Sequence, residues 1–181
     1  MATVRWLIIV FFFLFSASAC SAQTKDTIIN NIRQLFQAIN NDRSLHKVEL
    51  ENDEFLKEET LDGGGSLTGY FKNDTIYKMV VWMGLSFGIR QYEYYFKYER
   101  LFFIYETEDD FLISSSGEMD QTKLKRGFEG RYYLDGGRAF EIKIHGEKRF
   151  EEKPSKHYVE DLIAGSKSYV KLLQIRLKKE K

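Results

Sequence analysis

The residues best spaced for chemistry lie in Gly84-Leu85-Ser86-Phe87-Gly88, a match to the G-x-S-x-G nucleophile elbow that follows an apolar run, Met79 to Met83. In such an elbow a sharp strand-to-helix turn exposes the serine, a histidine takes its proton, and an acid orients the histidine. His145 and Asp120 are available for the two supporting roles, which would make the chain a small serine hydrolase. The residues after Gly88 argue otherwise. Ile89 to Tyr98 alternates as a strand where the elbow needs a helix, and no series of alternating strands and helices surrounds it. The favoured reading is a glycine-bounded loop between hairpins, with Leu85 and Phe87 covering a sheet end and no catalytic residue.

Other chemistries have less support. His46, His145 and His157 are not spaced as ligands on one element, and Cys20 is the single cysteine, so no metal site is expected. The acids Glu106, Glu108, Asp109 and Asp110 lack the glycine and alternating oxygen ligands of a calcium loop and read as a solvated strand end. Gly63, Gly64, Gly65 and Gly69 miss the spacing of a dinucleotide or phosphate loop and read as turn glycines, so no cofactor is expected. What remains is binding. Trp82, Tyr92 and Tyr94 on strand-like runs, with Ser86 and Phe87 in the loop, form the candidate binding residues for a glycan or a peptide strand of an envelope protein, although core packing explains most of the rings.

The elements that must position these residues are mainly strands. Leu67 to Lys72, Thr75 to Met83, Ile89 to Tyr98 and Leu101 to Glu106 are rich in Tyr, Phe, Val, Ile and Trp. Tyr92, Tyr94, Phe96 and Tyr98 fall at period two opposite Gln91, Glu93, Tyr95 and Lys97, giving one apolar and one mixed face. Asn73-Asp74, Tyr98-Glu99 and Asp135-Gly136-Gly137 are placed as hairpin turns. Val48 and Leu50 mark an earlier strand, and Glu106 to Gly127 reads as a long polar surface loop with a short anchoring piece at Phe111 to Ile113. Ile28, Ile29, Ile32, Leu35, Phe36 and Ile39 recur at helical spacing. So do Val159, Leu162, Ile163, Val170, Leu173 and Leu177 after Pro154 and Ser155, with Gly165 marking close packing or a bend. The expected fold is α+β, an antiparallel meander sheet of repeated hairpins packed with an N-terminal and a C-terminal amphipathic helix.

Lys and Arg number 27 and Asp and Glu 27, a balance that is no footprint of nucleic-acid binding. Charge is uneven along the chain: Glu49 to Asp62 is acidic and Ser155 to Lys181 basic, which reads as two solvated faces able to pair. Met1 to Ala19 has one Arg, no acid and an apolar core from Trp6 to Phe15, as in a secretory signal. Ala17-Ser18-Ala19-Cys20 offers cleavage after an Ala-x-Ala site or lipid attachment at Cys20, the route taken here. The organisation is then signal peptide 1–19, tether 20–25 and one α+β domain 26–181, exported to the periplasm or outer membrane and held at the membrane by the lipid.

The Ala-Ser-Ala-Cys stretch resembles a bacterial lipobox, with Ala17 where that motif usually carries Leu. With the first helix, the Tyr-Phe-Lys hairpins at Tyr70-Phe71-Lys72 and Tyr95-Phe96-Lys97 and the basic closing helix, the chain resembles the small uncharacterised envelope lipoproteins of Gram-negative bacteria. That resemblance implies envelope placement and assigns no activity or functional residue.

Overall fold

The computed structural model describes residues 25–56, 61–151 and 153–181. The chain divides into two compact units, one ending at Ala38 and one running from Ile39 to Lys181. Helix α1, residues 25–41, begins in the first and ends in the second, over the stretch where isoleucines recur at helical spacing.

The second unit is a seven-stranded antiparallel sheet in which every strand pairs with the next, in the order β1 to β7. The strands are β1 His46–Glu51, β2 Gly65–Lys72, β3 Thr75–Leu85, β4 Gly88–Lys97, β5 Arg100–Ile113, β6 Met119–Asp135 and β7 Arg138–Gly146. A short helix α2, Asn52–Phe55, follows β1, and the long α3, Lys156–Lys179, closes the chain. Three of the turns use the residues expected of them. Asn73, the pair Tyr98 and Glu99, and the pair Gly136 and Gly137 all have positive φ, the backbone that lets two twisted strands meet through a tight hairpin. Tyr98 is therefore a turn residue, 84 % exposed, and does not continue the apolar face of β4.

Register explains which residues α3 covers. Leu50, Leu67, Val81, Tyr92, Glu106, Gly130 and Ile144 stand side by side across the seven strands, and the next row is Val48, Gly69, Met79, Tyr94, Ile104, Tyr132 and Ile142. Because side chains alternate faces, both rows point the same way. They form one buried cluster with Val159, Leu173 and Leu177 of α3. Gly69 marks the closest approach, since a Cβ there would lie 2.9 Å from Leu173. Ser155 caps α3 by accepting a hydrogen bond from the Tyr158 N–H at 3.2 Å. The pairing of acidic and basic segments is realised at the other end, where Arg176 reaches Glu54 at 2.9 Å.

Four expectations are corrected. The sheet is not apolar on one face only. Tyr95, Phe103 and Tyr133, on the face away from α3, are also buried, their rings adjacent at 5.8 and 5.1 Å because the register sets them on neighbouring strands. Residues 106–127 are not a loop: β5 and β6 continue as a paired arm, with Phe111 opposite Leu124 and Ile113 opposite Met119. A two-stranded ladder satisfies its own backbone, so the side chains along it are free to be polar, and a polar composition misleads there. Glu106 and Glu108 are not solvated, being 0 % and 1 % exposed. Gly165 is not a close-packing site, since a Cβ there would meet nothing within 4 Å. Among the described residues no helix is long and apolar enough to cross a membrane.

Candidate functional site

Two places under α3 hold functional side chains in unlike surroundings. The first is polar and sealed. Glu106 and Glu108 keep the inward parity of Ile104 along β5, and the rest of the cluster comes from β4, β6, residues 148–151 and Tyr158 on α3. One oxygen of Glu106 accepts from the Tyr158 hydroxyl at 2.7 Å and the Lys148 ammonium at 2.6 Å, and the other accepts from Tyr132 at 2.6 Å. Lys148 also donates to Glu151 at 3.0 Å and to the Tyr158 oxygen at 2.5 Å, so all three of its protons are placed. The single Tyr158 proton goes to Glu106, so Tyr92 must be the donor in the 3.1 Å contact between the two hydroxyls. Glu108 takes two hydrogen bonds from Arg90, one of them from Nε at 2.8 Å, and a third from the Arg149 N–H at 2.7 Å. Arg90 then reaches Glu151 at 2.5 Å.

Local sequence makes this geometry possible. Gly130 lies opposite Glu106, and a Cβ on it would sit 2.5 Å from the Tyr132 oxygen, so the glycine leaves the space through which that hydroxyl reaches the carboxylate. Burial first, then the charge of Glu106, pushes the Tyr92 and Tyr132 phenols well above their ordinary range. Tyr158 is raised by burial, then by Tyr92 and Glu106. Burial pushes the Glu151 carboxyl up, and hydrogen bonds from Lys148 and then Arg90 more than reverse it. The cluster is a clasp that pins the segment before α3 onto the sheet. Its phenols keep their protons, and Glu106, Lys148, Arg90 and Glu108 are partnered within the cluster.

The second place is apolar and open, a groove of about 1030 Å³ lying past the middle of α3. Ile163, Ser166, Val170 and Gln174 line it from one stripe of the helix, and Ile76, Phe96, Leu101 and Leu134 line it from the sheet. The turns after β4 and β6 form its mouth with Lys97, Glu99, Arg100 and Asp135, and Lys167 joins them from α3. Its volume is at the upper end of small-molecule sites, ~300 to 1,000 Å³. Ser166 stands in this stripe between Ile163 and Val170, and its buried hydroxyl is satisfied by donating to the Ile163 carbonyl at 2.8 Å.

The residues singled out in the sequence do not meet at either place as a set. Ser86 and Phe87 form the turn between antiparallel strands β3 and β4, so the strand-turn-helix of a nucleophile elbow is not built. Both motif glycines have another cause. A Cβ on Gly84 would lie 2.6 Å from the Gly63 carbonyl oxygen, and one on Gly88 would collide with the carbonyl of Asp109. His145 is exposed on β7 opposite Glu129, while Asp120 lies on the arm and accepts from Thr122 at 2.5 Å; no hydrogen bond among the described residues joins Ser86, His145 and Asp120. Tyr92 and Tyr94 are buried under α3, Trp82 is half-buried on the opposite face, and Phe87 meets Phe150 edge-on at 5.3 Å. The five binding candidates are thus not one surface. Cys20 lies outside the described residues. Sequence reasoning missed the clasp and the groove. For the clasp a signal exists in the period-two run Ile104, Glu106, Glu108. For the groove the only local hint is a serine inside an apolar helix stripe.

No protein-family model, curated protein or solved structure matches the chain.

Proposed function

We propose that this chain is a non-enzymatic binding module of the bacterial envelope, exported, tethered through a lipidated Cys20, and carrying its ligand in the groove beside α3. One observation carries the reading: beside α3 a groove of about 1030 Å³ stands open, with Ile76, Phe96, Leu101, Leu134, Ile163 and Val170 in its lining. Ligand sites are concave and largely apolar with a few polar groups at the edge, which is the make-up of this groove. The turn geometry around Ser86 gives no support to hydrolysis there.

The test uses N-phenyl-1-naphthylamine, a neutral apolar dye whose fluorescence rises out of water. The protein is expected to bind it, and Ser166→Phe and Gln174→Trp, which fill the groove from two positions, are expected to lose at least tenfold in affinity. Unchanged binding in both variants would refute the groove. The tether is tested by the mass of the mature N-terminus in the membrane fraction: an acylated Cys20 is expected, and an unmodified N-terminus in the soluble fraction would refute it. No labelling of Ser86 by a fluorophosphonate is expected.

A further inference from the structure

We propose that the groove holds one long acyl chain whose anionic head, a carboxylate or a phosphate, rests among Lys97, Arg100 and Lys167. This builds on the reading of the groove as the ligand site and assigns the ligand's chemical class.

The lining selects the tail. From Ile163 to Gln174 the helix side of the groove runs about 16 Å at 1.5 Å per residue, so the occupant is elongated. A peptide strand of that length would bring a backbone N–H and C=O at every residue, each costly to bury without a partner. The sheet side offers hydrocarbon from Ile76, Phe96, Leu101 and Leu134, and on the helix stripe the Ser166 hydroxyl already donates to the Ile163 carbonyl, which leaves Gln174 as the one polar side chain there to meet a backbone. A hydrocarbon chain has no such groups to satisfy.

The mouth selects the head. Lys97, Arg100 and Lys167 are exposed there, and among the described residues none of the three makes an ion pair, although most cations bordering the clasp do. Glu99 and Asp135 share the rim, so three cations face two anions. Lys97 lies 5.6 Å from the centre of the Tyr98 ring. That contact leaves its ammonium free to turn toward the mouth. Three exposed cations of modest individual effect amount to roughly a tenfold preference for an anionic head.

The experiment is displacement of bound N-phenyl-1-naphthylamine, below micelle-forming concentrations, by palmitate, lysophosphatidylglycerol, hexadecanol and an extended apolar peptide. At least one of the two anionic lipids is expected to displace the dye at a tenfold lower concentration than hexadecanol. Palmitate alone doing so identifies a free carboxylate, and the lysolipid alone a phosphate head. In Lys97→Gln/Arg100→Gln/Lys167→Gln the anionic lipids are expected to lose their advantage over hexadecanol, each displacement being referred to that variant's own dye affinity. Equal displacement by hexadecanol, or a preference that survives the triple substitution, overturns the head assignment while the groove stands. Displacement by the peptide and by no amphiphile overturns the acyl chain. Failure of the dye to bind, or equal binding by Ser166→Phe and Gln174→Trp, overturns the groove itself.

Discussion

Two turns of one helix separate a sealed polar cluster from an open groove. Beneath Tyr158 the sheet and Lys148 close around Glu106, whose two oxygens accept from Tyr158, Lys148 and Tyr132, while beside Ser166 the same helix borders a groove of about 1030 Å³ with an apolar floor and a charged mouth. The contrast separates structural polarity from functional space. Buried charges command attention as candidate catalysts, yet here each is held by its neighbours, and their contacts tie the segment before α3 to the sheet. The charges lining the groove are exposed, and among the described residues Lys97, Arg100 and Lys167 make no ion pair. Substitutions in the clasp should therefore move stability and leave ligand affinity alone, and substitutions in the groove should do the reverse.

The largest effect is expected from Lys148→Met, which leaves Glu106 buried without its cation. Breaking one partner of a buried pair costs about 3–5 kcal/mol, which is a large share of the ~5–15 kcal/mol that holds a domain together. The double variant Glu106→Leu/Lys148→Met should recover much of that loss, because it removes both charges. Urea unfolding reads both, and equal midpoints for Lys148→Met and the double variant would mean that charge burial is not the cause.

Next is Tyr158→Phe, which removes a donor to Glu106 and an acceptor for Lys148 and should cost about 1–3 kcal/mol. Dye affinity in the groove should stay within twofold of the parent. A large loss of dye binding at full folding would show that the clasp and the groove are coupled.

How far this contrast could be foreseen differs between the two regions. Positive-φ turns have local chemistry, and Gly136-Gly137 and Asn73 announce themselves to a reader of the sequence. Period two correctly assigned Tyr92 and Tyr94 to one face of β4, and helical spacing correctly assigned Val159 and Leu173 to one face of α3. The clasp is non-local. Lys148 is 42 positions from Glu106, and nothing near the run from Glu106 to Asp110 shows that a cation will arrive, so the acids looked solvated. The arm failed for a related reason: its residues are paired with one another and not buried, and composition reports burial. The groove is a volume left over once β3, β4, β5, β6 and α3 have packed, a property no short segment encodes.

Alkaline pH should weaken the clasp progressively. Tyr92, Tyr94, Tyr132 and Tyr158 keep their protons in the folded protein to higher pH than in the unfolded chain, where phenols ionise near pH ~10. Above that pH the unfolded state sheds protons the native state retains. Stability should therefore be level below about pH 10 and fall as pH rises beyond it. Urea midpoints at pH 8 and pH 11 test the sign, and Tyr158→Phe should show the shallower fall.

The smallest effect concerns Gly165, which lies on α3 between the two regions and touches neither. The helix continues through it, and a Cβ there would meet nothing within 4 Å, so the glycine costs helix stability without any visible packing return. Gly165→Ala should raise stability by about 0.5–1 kcal/mol by restricting the unfolded chain and improving helix propensity. If the groove is open in the folded protein, dye affinity should not change. If affinity falls while stability rises, then α3 must bend at Gly165 to admit a ligand, and the glycine is there for motion. Measuring both quantities on this one variant decides whether the boundary between the rigid clasp and the open groove is itself a hinge.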